Sequence, residues 1–193
     1  DLVTEVDRGA EALIVDVIRS RFSDHAILAE ERGHEKGRPD RLWIVDPLDG
    51  TTNFAHGVKS CCVSIAFTTG GETQLGVVLD PFGEELFVPL KDRGTSLNGR
   101  SIGVSTVETL TESLLVTGFP YNIREIMATT MPRFNRCLEA SQGIRRLGSA
   151  ALDLCYVAAG RFEAFWEQNL KSWDTAAGAL MVTEAGGRVS DFD

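Results

Sequence analysis

The chain has 193 residues, with 19 Lys plus Arg against 28 Asp plus Glu, and carries a formal net charge of -9. Its 43% hydrophobic and 24% charged residues are typical of folded globular proteins and exclude disordered and fibrous classes. The acidic balance argues against direct nucleic-acid binding, because neutralising phosphates requires a clustered basic surface. No apolar run approaches the roughly 18 residues of a membrane span.

The first half of the chain predicts one helix followed by a sheet. Apolar residues at helical spacing predict the helix over about Val6 to Arg21. Two short apolar runs, Ala26 to Ala29 and Leu42 to Val45, predict strands, and the polar stretch from Arg32 to Arg41 between them predicts a mobile loop. Three more strands and an Asn-Gly turn follow with the spacing of an antiparallel meander: Cys61 to Thr68, Thr73 to Leu79, Glu85 to Leu90 and Asn98-Gly99.

The second half is richer in helices. The predicted elements, in chain order, are a strand, two helices, a strand, a helix and the start of a strand: Ser113 to Phe119, Arg124 to Ala140, the segment from Gly148-Ser149 to near Gly160, Phe162 to Glu167, Thr175 to Glu184 and Gly187 to Ser190. We therefore expect an N-terminal α+β region with a mainly antiparallel sheet over residues 1–140. An incomplete C-terminal α/β region is expected over residues 141–193.

Cysteine and histidine usage predicts neither a zinc site nor a disulfide framework, because the four cysteines form no CxxC pair: Cys61, Cys62, Cys137 and Cys155. This usage favours a reducing, cytoplasmic compartment. We expect all three histidines to lie at the surface: His25, His34 and His56.

The densest chemical signal is the segment Asp46 to Phe54, which reads DPLDGTTNF and follows a predicted buried strand. Pro47 fixes one backbone angle and Gly50 permits an unusual one, so the chain turns sharply and can aim Asp46 and Asp49 at one point. Two carboxylates aimed together favour a metal ion. The same pattern would also suit a surface Asp-Pro turn before a hydroxyl-rich helix start.

Further carboxylates stand at the ends of two other predicted elements, in Glu30-Glu31 and Trp173-Asp174. Hard oxygen ligands without convergent His or Cys suit Mg²⁺. An EF-hand calcium loop is excluded, because Leu48 and Gly50 occupy positions that need acidic residues. A helix beginning at Gly50 to Asn53 would turn free amides toward an anion. These residues therefore indicate a site for a metal ion and a phosphate.

Asp46 to Phe54, together with Trp173 to Gly178 (WDTAAG), resembles the two signatures of the inositol monophosphatase family. The likeness covers essentially the whole chain through five further motifs: Asp1-Leu2-Val3-Thr4, Glu30-Glu31, Thr117-Gly118-Phe119-Pro120, Gly148-Ser149-Ala150-Ala151 and Glu184-Ala185-Gly186-Gly187. The resemblance implies an α+β fold, the layered αβαβα sandwich of inositol monophosphatases and fructose-1,6-bisphosphatases. Against bacterial members, the chain is expected to be truncated at both ends.

The resemblance also implies a cofactor of two or three Mg²⁺ ions. Its implied ligands are Glu30, Asp46, the Leu48 carbonyl, Asp49 and Asp174, with Asp46 shared between two ions. The family's nucleophile is a metal-bound water, and the implied catalytic residues are Thr51, its hydrogen-bonded partner Asp7, and Glu30. Without the resemblance, Thr4 and Asp7 would be interpreted as a helix cap and Glu167 as an exposed strand end.

The implied substrate is a small phosphate ester. Its phosphate would bind the amides of Gly50 and Thr51, and its alcohol would lie in a pocket lined by Asp49, Ala150, Glu167 and Asp174. Inositol monophosphate is the predicted substrate, with hydrolysis to inositol and phosphate. The resemblance further implies a homodimer and lithium sensitivity. Two alternatives stay open: a fructose-1,6-bisphosphatase or another phosphatase of the superfamily, and a non-catalytic regulatory binding module.

Overall fold

The computed structural model describes residues 3–192, so Asp1 and Leu2 of the Asp1-Leu2-Val3-Thr4 motif lie outside the described residues. The helices in this span are α1 (Glu5–Arg21), α2 (Thr51–Ala55), α3 (Ile123–Ala140), α4 (Ala150–Ala158) and α5 (Ser172–Glu184). A short 3₁₀ turn lies at Leu110–Glu112. Among residues 3–192, no helix combines the length and apolar character needed to cross a membrane.

The strands of the described chain form two sheets. Their bounds are β1 (His25–Ala29), β2 (Gly33–Glu35), β3 (Arg38–Asp49), β4 (Cys62–Thr69), β5 (Glu72–Asp80), β6 (Glu85–Leu90), β7 (Gly94–Leu97), β8 (Arg100–Ser101), β9 (Leu114–Thr117), β10 (Gly143–Arg145) and β11 (Ala164–Trp166). The first sheet has the order β2-β1-β3-β4-β5-β6-β7-β8, antiparallel except for the β1–β3 pair, and the second is a parallel sheet of order β10-β9-β11.

Alternate residues of β3 face two different layers, as a strand's period of two requires. Val45 packs with Val15 and Ile18 of α1. Ile44 belongs to the larger core that the first sheet shares with α4 and α5, and Val116 of β9 joins the same core. Helix α3 contacts β10 of the second sheet. The layers therefore run α1, first sheet, α4 with α5, second sheet, α3, which confirms the predicted αβαβα sandwich.

Most predicted elements are confirmed, including α1, the β4–β6 meander and the Asn98-Gly99 turn between β7 and β8. The four cysteines are free thiols. The division of the chain at residues 140 and 141 stays a prediction. Strand β9, which precedes that boundary, pairs with β10 and β11, which follow it.

Two of the predicted elements are wrong. The stretch from Arg32 to Arg41 is not a loop, because it contains β2 and the first residues of β3. Gly37 lies so close to β1 that a Cβ atom there would be 2.3 Å from the His25 carbonyl oxygen, so pairing overrides the polar composition. Gly187 to Ser190 forms no strand and pairs with none in residues 3–192. Conversely, β10 was not predicted, because three residues are too short to show a period.

The expectation for His25 is also wrong, because the residue is only 4% exposed. Its ring stacks on Phe22 and Phe67, with centroid distances of 4.9 and 5.4 Å. Trp43 Nε1 donates a hydrogen bond to His25 Nδ1 at 3.1 Å, which replaces the water that a surface histidine would bind. His34 and His56 are exposed as predicted.

Candidate active site

The end of β3 and the start of α2 form a tight turn that holds both aspartates of the DPLDGTTNF segment. Gly50 has a φ of 94°, and a Cβ atom there would lie 2.8 Å from the Ser60 carbonyl oxygen, so the position needs glycine. Asp46 is buried, and its Oδ1 accepts the Leu48 N–H at 3.0 Å. Asp49 extends toward α4. The turn therefore directs two carboxylates whose hydrogen-bond partners lie outside α2.

The start of α4 binds Asp49 from the other half of the molecule. Asp49 Oδ2 accepts a hydrogen bond from Ser149 Oγ at 2.7 Å and another from the Ala151 N–H at 2.7 Å. Free amides and the dipole at a helix N-terminus favour an anion. Burial raises the pKa of Asp49 to about 6, although these hydrogen bonds lower it. The predicted pocket residue Ala150 thus lies between the two donors that hold Asp49.

Glu30 and Asp174, both half-buried, complete a cluster of carboxyl groups around the buried Asp46. Glu30 directly follows β1, which runs parallel to β3, so both strands bring an acidic residue to the same edge. Burial raises the pKa of Glu30 to about 7, although its hydrogen bond with the Asp46 side chain opposes the rise. Burial, followed by the charges of Asp49, Glu30 and Asp174, raises the pKa of Asp46 well above its ordinary value.

Asp174 lies in the first turn of α5. Its Oδ2 accepts the Lys171 N–H at 2.5 Å, and burial raises its pKa above the ordinary value. Asp46, Asp49 and Asp174 therefore share one arrangement, in which one carboxylate oxygen accepts a backbone amide. In the described chain, no backbone N–H hydrogen bond reaches the second oxygen: Asp46 Oδ2, Asp49 Oδ1 and Asp174 Oδ1.

The predicted pair of Thr51 and Asp7 is in contact. Thr51 Oγ1 lies 2.9 Å from Asp7 Oδ1 and 2.9 Å from the Leu48 carbonyl oxygen, so its hydroxyl can donate to either. Asp7 is fully buried, and its Oδ2 accepts the Thr4 N–H at 2.8 Å and the Thr4 hydroxyl. One carboxylate thus caps α1 and also reaches the turn after β3. Asp7 therefore makes both the helix-cap hydrogen bonds with Thr4 and the contact with Thr51 that the resemblance implies.

The donor set fits Mg²⁺ chemically. In residues 3–192, no group of three or more His, Cys, Asp or Glu side chains is already arranged to hold a metal ion. Burial and the charges of neighbouring carboxylates nevertheless raise the pKa of both Glu30 and Asp46. A divalent cation would offset the mutual repulsion that raises the pKa of these groups. Carboxylate and carbonyl oxygens are the ligands that Mg²⁺ prefers.

Glu167 lies beside the same cluster. It follows β11 and is partly buried rather than fully exposed. Its carboxylate lies over Gly118, where a Cβ atom would be 1.8 Å from Glu167 Oε2, so glycine makes room for it. Burial raises the pKa of Glu167 to about 7, opposed by Arg146 and assisted by Asp49 and Asp174. Glu167 is therefore placed near the metal-ligand candidates, as the predicted alcohol pocket requires.

Two residues near the site were missed by the sequence predictions. Asp153 is 1% exposed, and neither of its carboxyl oxygens has a hydrogen-bond partner within residues 3–192. Burial, then the charges of Asp49 and Glu167, raises its pKa to about 8, so the protonated form is favoured at pH 7. The available signal was a single acidic residue in an apolar helix, AALDLCYVA.

Asn53 is the second missed residue. Its Nδ2 donates to the Ser60 carbonyl oxygen at 2.8 Å and to the Leu147 carbonyl oxygen at 2.7 Å. This side chain ties α2 to the loop before α4. The sequence showed Asn53 within a motif but could not reveal which distant carbonyl it would bind.

Known proteins share this fold and sequence. The family model named Inositol monophosphatase family matches residues 1–193. The chain is 50% identical to Nus factor SuhB of Pseudomonas aeruginosa and 49% identical to inositol-1-monophosphatase of Synechocystis sp., over 100% of this chain and 73% and 68% of those relatives. The structure of inositol monophosphatase from Anabaena (Nostoc) sp. matches with a TM-score of 0.92 at 46% identity, over 96% of this chain and 74% of that one. The chain therefore belongs to the inositol monophosphatase family.

Proposed function

We propose that this chain is a Mg²⁺-dependent phosphomonoesterase that hydrolyses inositol monophosphate to inositol and phosphate. The hydrogen bond between Thr51 Oγ1 and Asp7 Oδ1, at 2.9 Å beside the carboxyl cluster, carries the proposal. When the Thr51 hydroxyl donates to Asp7, its lone pairs face away from that carboxylate and can accept a hydrogen bond from a water molecule. Membership of a phosphatase family supports the same class of reaction.

The proposed Mg²⁺ ligands are Glu30, Asp46, the Leu48 carbonyl, Asp49 and Asp174. When bound, Mg²⁺ would supply positive charge to the phosphate oxygens and lower the pKa of the attacking water. Thr51 would orient that water, and the hydrogen bond to Asp7 would give its proton a path toward a buried carboxylate. The Gly50 and Thr51 amides would hold the phosphate.

The proposed alcohol pocket lies between the two halves of the molecule. Asp49, Glu167 and Asp174 would accept hydrogen bonds from the hydroxyls of a polyol, and the Ala150 amide would donate one. Such a lining favours a leaving group with many hydroxyls. Fructose 1,6-bisphosphate or another small phosphate ester is the alternative substrate of the same site.

A non-catalytic regulatory module is the second candidate function. It is favoured by the 50% identity to a relative that carries the name Nus factor SuhB. Crowded carboxyl groups that raise one another's pKa lower the stability of the folded state, so a module without catalysis would have no physical reason to keep them. The intact carboxyl cluster and the Thr51–Asp7 contact therefore support retained chemistry. We further propose a cytoplasmic homodimer that is inhibited by lithium and acts without direct contact to nucleic acid or membrane.

The test is phosphate release from inositol 1-phosphate, fructose 1,6-bisphosphate, adenosine 3′,5′-bisphosphate and NADP, each with Mg²⁺ and with excess EDTA. We expect Mg²⁺-dependent release that is fastest from inositol 1-phosphate. Faster release from another ester would retain the site and change the substrate. No release from any ester, by a folded protein that binds Mg²⁺, would favour the regulatory module.

A further inference from the structure

Ser149 occupies the N-cap position of α4 but does not cap its own helix. A serine at this position normally accepts a hydrogen bond from the second or third amide of the helix. Ser149 makes no such bond, and its hydroxyl instead donates to Asp49 Oδ2 at 2.7 Å. The Ala151 N–H, which a cap would satisfy, donates to the same oxygen at 2.7 Å. Asp49 therefore caps α4 from another element, and the Ser149 hydroxyl serves Asp49.

The Ser149 side of this contact is buried. Ser149 is 1% exposed and Cys62 is fully buried beside it. Cys62 Sγ lies 3.6 Å from Ser149 Oγ and 3.9 Å from Asp49 Oδ2. A buried hydroxyl needs an acceptor, and a carboxylate oxygen is the strongest acceptor in contact with it. The hydroxyl is therefore held in one orientation.

All of these contacts converge on one oxygen of Asp49. They fix the rotation of the carboxylate and leave Oδ1 available to another partner. We propose that Ser149 is a positioning residue, whose hydroxyl orients Asp49 so that Oδ1 is presented to a divalent cation. This inference rests on the proposed function, because it assigns Asp49 to the Mg²⁺ site. Hydrogen-bonding partners behind a metal ligand typically contribute 10- to 100-fold to metal affinity.

The experiment compares Mg²⁺ affinity, measured by calorimetry on the full chain, in the wild type, Ser149→Ala, Ser149→Thr and Ser113→Ala. We expect Ser149→Ala to weaken Mg²⁺ binding about 10- to 100-fold. Ser149→Thr keeps the hydroxyl and should bind Mg²⁺ like the wild type. Ser113 is a matched control: it is a buried serine whose hydroxyl donates to the Thr109 carbonyl oxygen at 2.8 Å, outside the carboxyl cluster. Ser113→Ala should bind Mg²⁺ like the wild type.

Wild-type Mg²⁺ affinity in Ser149→Ala would overturn the assignment, even if the variant melts at a lower temperature, since a purely structural cap would lower stability alone. If Ser149→Ala does not fold, Ser149→Cys replaces it in the experiment, because its side chain has a similar size and its thiol is a weaker hydrogen-bond donor. A wild-type Mg²⁺ affinity in that variant would overturn the assignment equally. No Mg²⁺ binding by the wild type would instead overturn the metal site of the proposed function, and the role of Ser149 with it.

Discussion

Two segments bring acidic residues to the site and differ in the hydrogen-bond partners that they provide for them. In the β3–α2 turn, defined as Asp46 to Thr51, both aspartates accept hydrogen bonds from amide or hydroxyl groups. In the α4 start, defined as Ser149 to Asp153, the one acidic residue is as buried as Asp46, but neither of its oxygens has a hydrogen-bond partner in residues 3–192.

The difference lies in hydrogen-bond donors rather than in burial, and it decides which of these carboxyl groups can stay charged. A carboxylate that keeps hydrogen-bond donors can remain charged when a cation arrives, and each aspartate of the β3–α2 turn has such donors. Asp153 has none, and burial of an unpartnered charge is costly, so it is stable as the neutral acid. The two segments should therefore respond differently to substitution, to Mg²⁺ and to pH.

The largest expected effect is that of Asp49→Asn. This change removes the negative charge of a proposed Mg²⁺ ligand in the β3–α2 turn at nearly constant side-chain volume. Mg²⁺-dependent phosphate release should fall about 1000-fold, because a metal ion supplies several kcal/mol of transition-state stabilisation. Asp153→Asn, the same change in the α4 start, should keep most of the activity. Circular dichroism should show that both variants fold. Near wild-type activity in Asp49→Asn would remove Asp49 from the set of ligands.

Thr51→Val should have the next largest effect. It removes the hydroxyl that contacts Asp7 at 2.9 Å while keeping a β-branched side chain. The expected loss in kcat is about 100-fold, the lower end of the range for general acid–base catalysis. Thr51→Ser retains the hydroxyl and serves as the control. A loss confined to KM, or an equal loss in the serine variant, would contradict the role of the Thr51–Asp7 pair in activating water.

Mg²⁺ addition should stabilise the folded protein, because a cation offsets repulsion in the carboxyl cluster. A free concentration 100 times the Kd corresponds to about 2.7 kcal/mol of unfolding free energy. Differential scanning calorimetry should show this increase in the wild type and in Asp153→Asn. The increase should be smaller in Asp49→Asn. An equal increase in all three proteins would place the bound Mg²⁺ outside the β3–α2 turn.

The smallest expected effect is the pH dependence of stability due to Asp153. Its folded pKa of about 8 lies above the ordinary 3.8, so the folded protein binds this proton more tightly than the unfolded chain. The stabilisation is complete below about pH 3.8 and is lost as pH rises through 8. Relative to the wild type, the free energy of unfolding of Asp153→Asn should therefore rise by roughly 2 to 3 kcal/mol between pH 5 and pH 7.

Urea denaturation at pH 5 and pH 7, in EDTA, measures this difference in unfolding free energy. EDTA removes any contribution from bound cations, so the comparison concerns Asp153 alone. The same free-energy difference between the two proteins at both pH values would show that Asp153 does not hold a proton in the folded state.

The sequence predicted what depends on neighbours along the chain. The spacing of short apolar runs and turn residues predicted the β4–β6 meander, and the Asp-Pro and Gly residues predicted the sharp turn around Asp46, because strand length and turn geometry are local properties. The resemblance to a family assigned Asp7, Glu30 and Asp174 to one site with the β3–α2 turn, a grouping that no local pattern shows. Their roles remain predictions, although the structure brings Asp7 to Thr51 and groups Glu30 with Asp46.

The amino-acid sequence by itself determined the layered fold class and the residues with the chemistry for a phosphate and metal site. Only the tertiary structure decided that His25 is buried, that Asp153 has no hydrogen-bond partner in the described part of the chain, and that Ser149 binds Asp49 rather than its own helix. The physical reason is that desolvation and hydrogen bonding depend on atoms from distant parts of the chain. Asp49 and Ser149 are 100 residues apart, and no period or motif reports their contact.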